Sequence, residues 1–116
     1  MKYYFDLHPK PFELIKNGQK DVEMRLYNKY RKLLQIGDII EFTNIETHET
    51  LSVEVANLQL FATFVELYKH YDKQRLGYKP EEIANPSDME IYYSKEQIAQ
   101  HGVMAIEIKL IDASAR

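Results

Sequence analysis

A chain of 116 residues, 45% hydrophobic and 28% charged, has the make-up of one globular domain with a single core, not of a disordered or fibrous segment. It contains no cysteine, which excludes disulfides, thiolate nucleophiles and cysteine-based zinc sites. Its formal charge of -3 excludes the broad positive field of proteins that track duplex phosphates, and no stretch approaches the roughly 18 apolar residues of a membrane span or the layout of a signal peptide. A cytoplasmic protein is expected.

In chain order, "KYYFDLH" alternates, with Tyr3, Phe5 and Leu7 on one side, and reads as an aromatic-rich strand. "PKPFELIKNG" reads as a short helix: Pro11 suits its first turn, Phe12 and Ile15 share a face, and Gly18 suits the left-handed position just past its end. The next strand places Val22, Met24 and Leu26 toward a core and Asp21, Glu23 and Arg25 on the opposite face. "YNKYRKLLQIGD" is a basic connection with room for a helical turn, stopping at Gly37.

Beyond it, "DIIEFTN" and "TLSVEVANLQLF" read as a hairpin, with Ile40 and Phe42 facing Leu51, Val53 and Val55 across one core. Parity slips after Val55, and a bulge near Ala56 and Asn57 would return Leu58 and Leu60 to the inner face. Three capping boxes follow, Thr63 with Glu66, Ser87 with Glu90 and Ser94 with Gln97, so three short helices are expected. The first of them should carry Phe64, Tyr68 and Tyr71 as its stripe. The strand "VMAIEIKLI" should turn Met104, Ile106, Ile108 and Leu110 inward, and "DASAR" should fray. One α+β domain is expected: five or six mostly antiparallel short strands, curled into a small, partly open barrel with peripheral helices.

The charged flank of the second strand is where chemistry concentrates. Glu23 and Arg25 share a face, so in a cleft the carboxylate would hold the guanidinium fork ready for a phosphate or a base edge, and would itself accept from an exocyclic amine. On open surface they would be a solvated ion pair contributing at most about 1 kcal/mol. Lys20 lies three residues before Glu23 and meets it only if the chain turns just after Gly18; otherwise it is a solvated lysine. Lys29, Tyr30, Arg31 and Lys32 interleave cations with a ring, a pattern that grips single-stranded nucleic acid or makes an ordinary solvated connection. Tyr27, Tyr92 and Tyr93 are candidates for stacking a base, Tyr93 first. His8 is placed to orient a ligand or to cap a turn. The four histidines lack metal-ligand spacing, and neither a glycine-rich phosphate loop nor a serine nucleophile elbow is present; neither cofactor nor metal is expected.

"HPKPFELIKNGQKDVEMRLYNKYRKLLQIGDIIEF" and the closing "YYSKEQIAQHGVMAIEIKL" together resemble the ASCH domain family. The resemblance implies a barrel similar to the PUA domain, a cleft beside the first helix, and binding of RNA or nucleotides. Some small bacterial members are amidohydrolases acting on N4-acetylcytidine through a lysine, a threonine and a later glutamate. The lysine matches Lys20, the threonine position is Glu23 here, and Glu66 is a candidate for the glutamate. The leading expectation is therefore a binding module that takes an RNA base, nucleoside or nucleotide through Lys20, Glu23, Arg25, Tyr27, Arg31 and Tyr93. The alternatives are an amidohydrolase with Lys20 and Glu23 as catalytic residues, and an interaction domain without a nucleic ligand.

Overall fold

Alternation and turn chemistry translate into five strands: β1 (Lys2–Leu7), β2 (Val22–Leu26), β3 (Ile39–Asn44), β4 (Thr50–Phe61) and β5 (Val103–Leu110). The computed structural model describes residues 1–111; the tail expected to fray, 112–116, lies outside them. The strands form one curled sheet in the order β1-β3-β4-β5-β2. Three pairings are antiparallel, but β1 runs parallel to β3. The chain between them passes through a helix and β2, long enough for the crossover that a parallel pair needs. Helices α1 (Pro9–Lys16), α2 (Phe64–His70) and α3 (Lys95–His101) and 3-10 turns at Arg31–Leu33 and Pro86–Ile91 surround the sheet.

The register break falls between Val55 and Asn57, where the sequence parity slips. Leu58 then packs on the inner core, whereas Leu60 and Leu110, expected inward, are 54% and 39% exposed near strand ends where the core runs out. The Ser94–Gln97 capping box is complete, and Thr63 makes its half by accepting from the Glu66 N–H. The Ser87–Glu90 box does not form. Asn85 caps that turn instead, its side chain accepting from the Ser87 N–H, and the Ser87 hydroxyl donates to the same Asn85 Oδ1 rather than accepting from Glu90.

Two apolar clusters share β5. Inside the curl, Met104, Ile106 and Ile108 meet Ile40, Phe42, Val53 and Val55, with Phe12 and Ile15 of α1 inserted among them. On the outer face Val103 and Ala105 lie with Val22 and Met24 beneath Phe64, Leu67 and Tyr71. The first half of β5 is thus buried on both faces, so the expected single inward face was only half of its packing.

The curl brings the two edge strands, β1 and β2, toward each other. No backbone ladder joins them among the described residues; instead the Arg25 guanidinium on β2 donates through Nη2 to the Asp6 carbonyl on β1 at 3.1 Å. The barrel is left with a seam, and the charged flank of β2 faces into it.

Candidate functional site

Glu23 pairs with Ile106 and Arg25 with Met104 in the β2–β5 register. Opposed residues share a face, so both charged side chains point into the hollow of the curl beside the core. Glu23 is only 5% exposed. Its Oε2 accepts from Arg25 Nε at 2.8 Å and its Oε1 lies 3.3 Å from Lys20 Nζ. Lys20, also 5% exposed, reaches Glu23 because the chain turns after Gly18 (φ +89°). Its ammonium donates as well to the Leu76 carbonyl at 3.0 Å.

The turn is held by an irregular segment from far along the chain. The Arg75 carbonyl accepts from both the Asp21 and Val22 N–H groups, and Gln19 Nε2 donates to the carbonyls of Gln74 and Tyr78. Gly77 closes over the lysine stem with φ +109°, and a Cβ there would stand 3.3 Å from Lys20 Cδ. A side chain at residue 77 would thus strain the backbone and press on the lysine at once.

Burial by itself pushes the Glu23 carboxyl up, but the charges of Arg25 and Lys20 and their hydrogen bonds outweigh it and hold the group below the usual carboxylate range. Two cations against one carboxylate leave a positive floor. Lys20 keeps one of its three N–H donors unused, and no acceptor among the described residues takes up Arg25 Nη1. Burial of Arg25 is offset by Glu23, and its guanidinium stays fully charged.

Above this floor opens a cleft of about 390 Å³, within the range of small-ligand sites. Pro11 and Leu14 of α1 line it together with Leu76, Gly77, Tyr78 and Met89. Tyrosines line it: the Tyr68 hydroxyl lies 2.8 Å from that of Tyr78, which donates to Asp88 Oδ2 at 2.8 Å, and burial together with these bonds pushes the Tyr78 phenol up. Tyr93 stacks on Phe64, ring centroids 6.3 Å apart and planes 12° from parallel, and Tyr92 stands against His8. Among the described residues no three His, Asp or Glu could hold a metal ion, and no helix is long and apolar enough to cross a membrane.

The model of the ASCH domain matches residues 5–112. The chain belongs to the ASCH domain family. Hypothetical protein PH0355 is similar over 96% of this chain and all of its own, at 30% identity and a TM-score of 0.81. Protein PF0455 from Pyrococcus furiosus is similar at 28% identity and 0.70, over 97% and 99% of the two chains. ASCH from Zymomonas mobilis, at 15% identity, aligns over 91% of this chain and 65% of its own with a TM-score of 0.64, a likeness of fold. None of the curated proteins matches. The curled α+β half-barrel is the PUA-like fold that the resemblance implied.

Of the residues singled out in the sequence, this ASCH domain gathers Lys20, Glu23, Arg25, Tyr92, Tyr93 and His8 around one cleft. Tyr27 and Arg31 do not line it: Tyr27 packs on the inner core with Lys32 over its ring, and Arg31 lies against Phe5. His8 occupies the N-cap position of α1, yet its side chain makes no cap bond. Glu66 is exposed in the first turn of α2, away from the cleft. Asp21, expected beside Glu23, instead accepts from Arg75 Nε at 2.7 Å, because β2 begins only at Val22 and the residue before it is not held to strand alternation. Tyr68, Tyr78 and Asp88 were not singled out as site residues. Tyr68 carries only the signal of the α2 stripe, and Tyr78 and Asp88 reach it from a segment without hydrophobic period.

Proposed function

We propose that this ASCH domain binds a nucleotide or an unpaired RNA base in the cleft beside α1. The observation that carries the reading is the enclosed Lys20–Glu23–Arg25 cluster, which aims spare N–H donors into a tyrosine-lined hollow. Such donors match the carbonyl and ring-nitrogen acceptors of a base edge, and the rings offer its faces something to stack on. The overall charge of -3 fits recognition of one unit better than tracking of a long backbone. Titrating ribonucleotides and a short single-stranded RNA should show saturable binding that Arg25→Ala weakens tenfold or more, about the worth of one charge-assisted hydrogen bond. A variant that binds as tightly as the parent would remove Arg25 from the site.

The contact of Lys20 with Glu23 at 3.3 Å supports a second reading, hydrolysis of an acylated cytidine-like nucleoside, because an amine beside a carboxylate at the edge of open volume can move a proton. Incubation with N4-acetylcytidine decides it. Turnover lost in Lys20→Ala would establish the enzyme, and an inactive parent would dismiss it.

A further inference from the structure

Two cations hold the buried Glu23 carboxylate, and a third stands nearby. Besides Lys20 and Arg25, Arg31 lies close enough for the charges of Arg25 and Glu23 to act on it. Both guanidiniums pack on the half-buried Phe5 ring, the Arg25 Cζ 4.7 Å and the Arg31 Cζ 5.7 Å from its centroid. Asp6 also acts on Arg25, but it is exposed and screened, so it offsets only part of the excess. Among the described residues the Arg31 guanidinium has no acidic partner within 4.0 Å and no hydrogen-bond acceptor, and Arg25 Nη1 has none either. Desolvation weighs on Arg31: burial, with Arg25 adding to it, pushes it below the ordinary guanidinium range. A half-buried cation without an acceptor, as Arg31 is, is costly to fold, and the cost is recovered when an anion arrives.

A guanidinium fork suits the oxygens of a phosphate, to which it donates two parallel hydrogen bonds. Tyr93, within the field of both arginines, also lines the cleft, so an anion held there would adjoin a base lying on the floor. We propose that Arg25 and Arg31 form a phosphate subsite at the edge of the cleft, so that the protein takes phosphorylated nucleosides in preference to free ones. This inference rests on the base-binding reading above and narrows its ligand.

The test is calorimetric titration of the four ribonucleosides, their 5′- and 3′-monophosphates and a mixed-sequence single-stranded RNA of roughly eight nucleotides. The best monophosphate or the strand should bind at least tenfold more tightly than its nucleoside, and Arg31→Gln should shrink that ratio about tenfold. Arg31→Lys, which keeps the charge without the fork, should fall between, with thermal melts confirming that both variants fold. An advantage shown by free monophosphates assigns the subsite to mononucleotides, and one shown by the strand alone assigns it to an internal phosphodiester. Equal affinity for nucleoside and monophosphate, or an unchanged ratio in Arg31→Gln, overturns the subsite while the base-binding reading stands. Binding of none of these ligands overturns both.

Discussion

Glu23→Ala is expected to lower the unfolding free energy by about 3–5 kcal/mol, seen as a fall of roughly 10–20 °C in the thermal midpoint. The carboxylate is almost fully enclosed and is the counter-charge of Lys20 and Arg25. Without it two cations remain in a space that water barely reaches, and each still demands an acceptor. Glu23→Gln keeps an oxygen but not the charge, so a smaller loss is expected. The double variant Lys20→Met/Glu23→Leu should lose less than Glu23→Ala alone, because it leaves one buried cation, Arg25, without its carboxylate instead of two. Equal melting of Glu23→Ala and the parent would mean that the carboxylate is solvated.

Acid gives the same group a second readout. The folded pKa of Glu23 is depressed below its ordinary 4.5 by Arg25 and Lys20 acting against burial. A depressed carboxylate contributes stability that is fully present above the unfolded value and is lost as pH falls from there through the lower folded value. The stability gap between the parent and Glu23→Gln should therefore be flat above about pH 5 and close below 4.5. Glu82 and Glu107 are also held low, but they are common to both proteins and cancel in the difference. Chemical denaturation at stepped pH measures it.

How far the site could be read in advance depended on range along the chain. The alternation of Val22, Met24 and Leu26 marked β2, and the spacing of Glu23 and Arg25 put them on one face; both facts are local. That Lys20 would join them required only a turn after Gly18, and Gly18 does adopt positive φ. The lid over Lys20 could not be read. The Leu76 carbonyl, Gly77 and Tyr78 come from more than fifty residues away in a segment without hydrophobic period, and their place is set by hydrogen bonds from Gln19, Asp21 and Val22 rather than by propensity. Topology was hidden for a similar reason. Alternation shows that a strand exists and which face it buries, but not that β1 lies parallel to β3, which depends on what the intervening chain encloses. The burial of both faces of β5 was missed because an unbroken apolar run has no parity to read.

Phe12→Ala is expected to destabilise the protein as strongly as loss of Glu23, by about 3–5 kcal/mol, and to do so by a different route. Phe12 is fully buried, and with Ile15 it is the means by which α1 fills the mouth of the curl. The adjoining face of the same helix supplies Pro11 and Leu14 to the cleft wall. A cavity beneath the helix would let it settle inward, and the wall would move with it. Guanidinium denaturation should show the loss of stability, with Phe12→Leu retaining most of it because most of the apolar volume remains. At a temperature where all variants are folded, Phe12→Ala should also bind nucleotide more weakly, although Phe12 does not line the cleft. Val53→Ala, which hollows the same core from β4 away from the cleft, should lower stability and leave affinity as it was. If the two variants alter affinity alike, α1 is not what sets the width of the cleft.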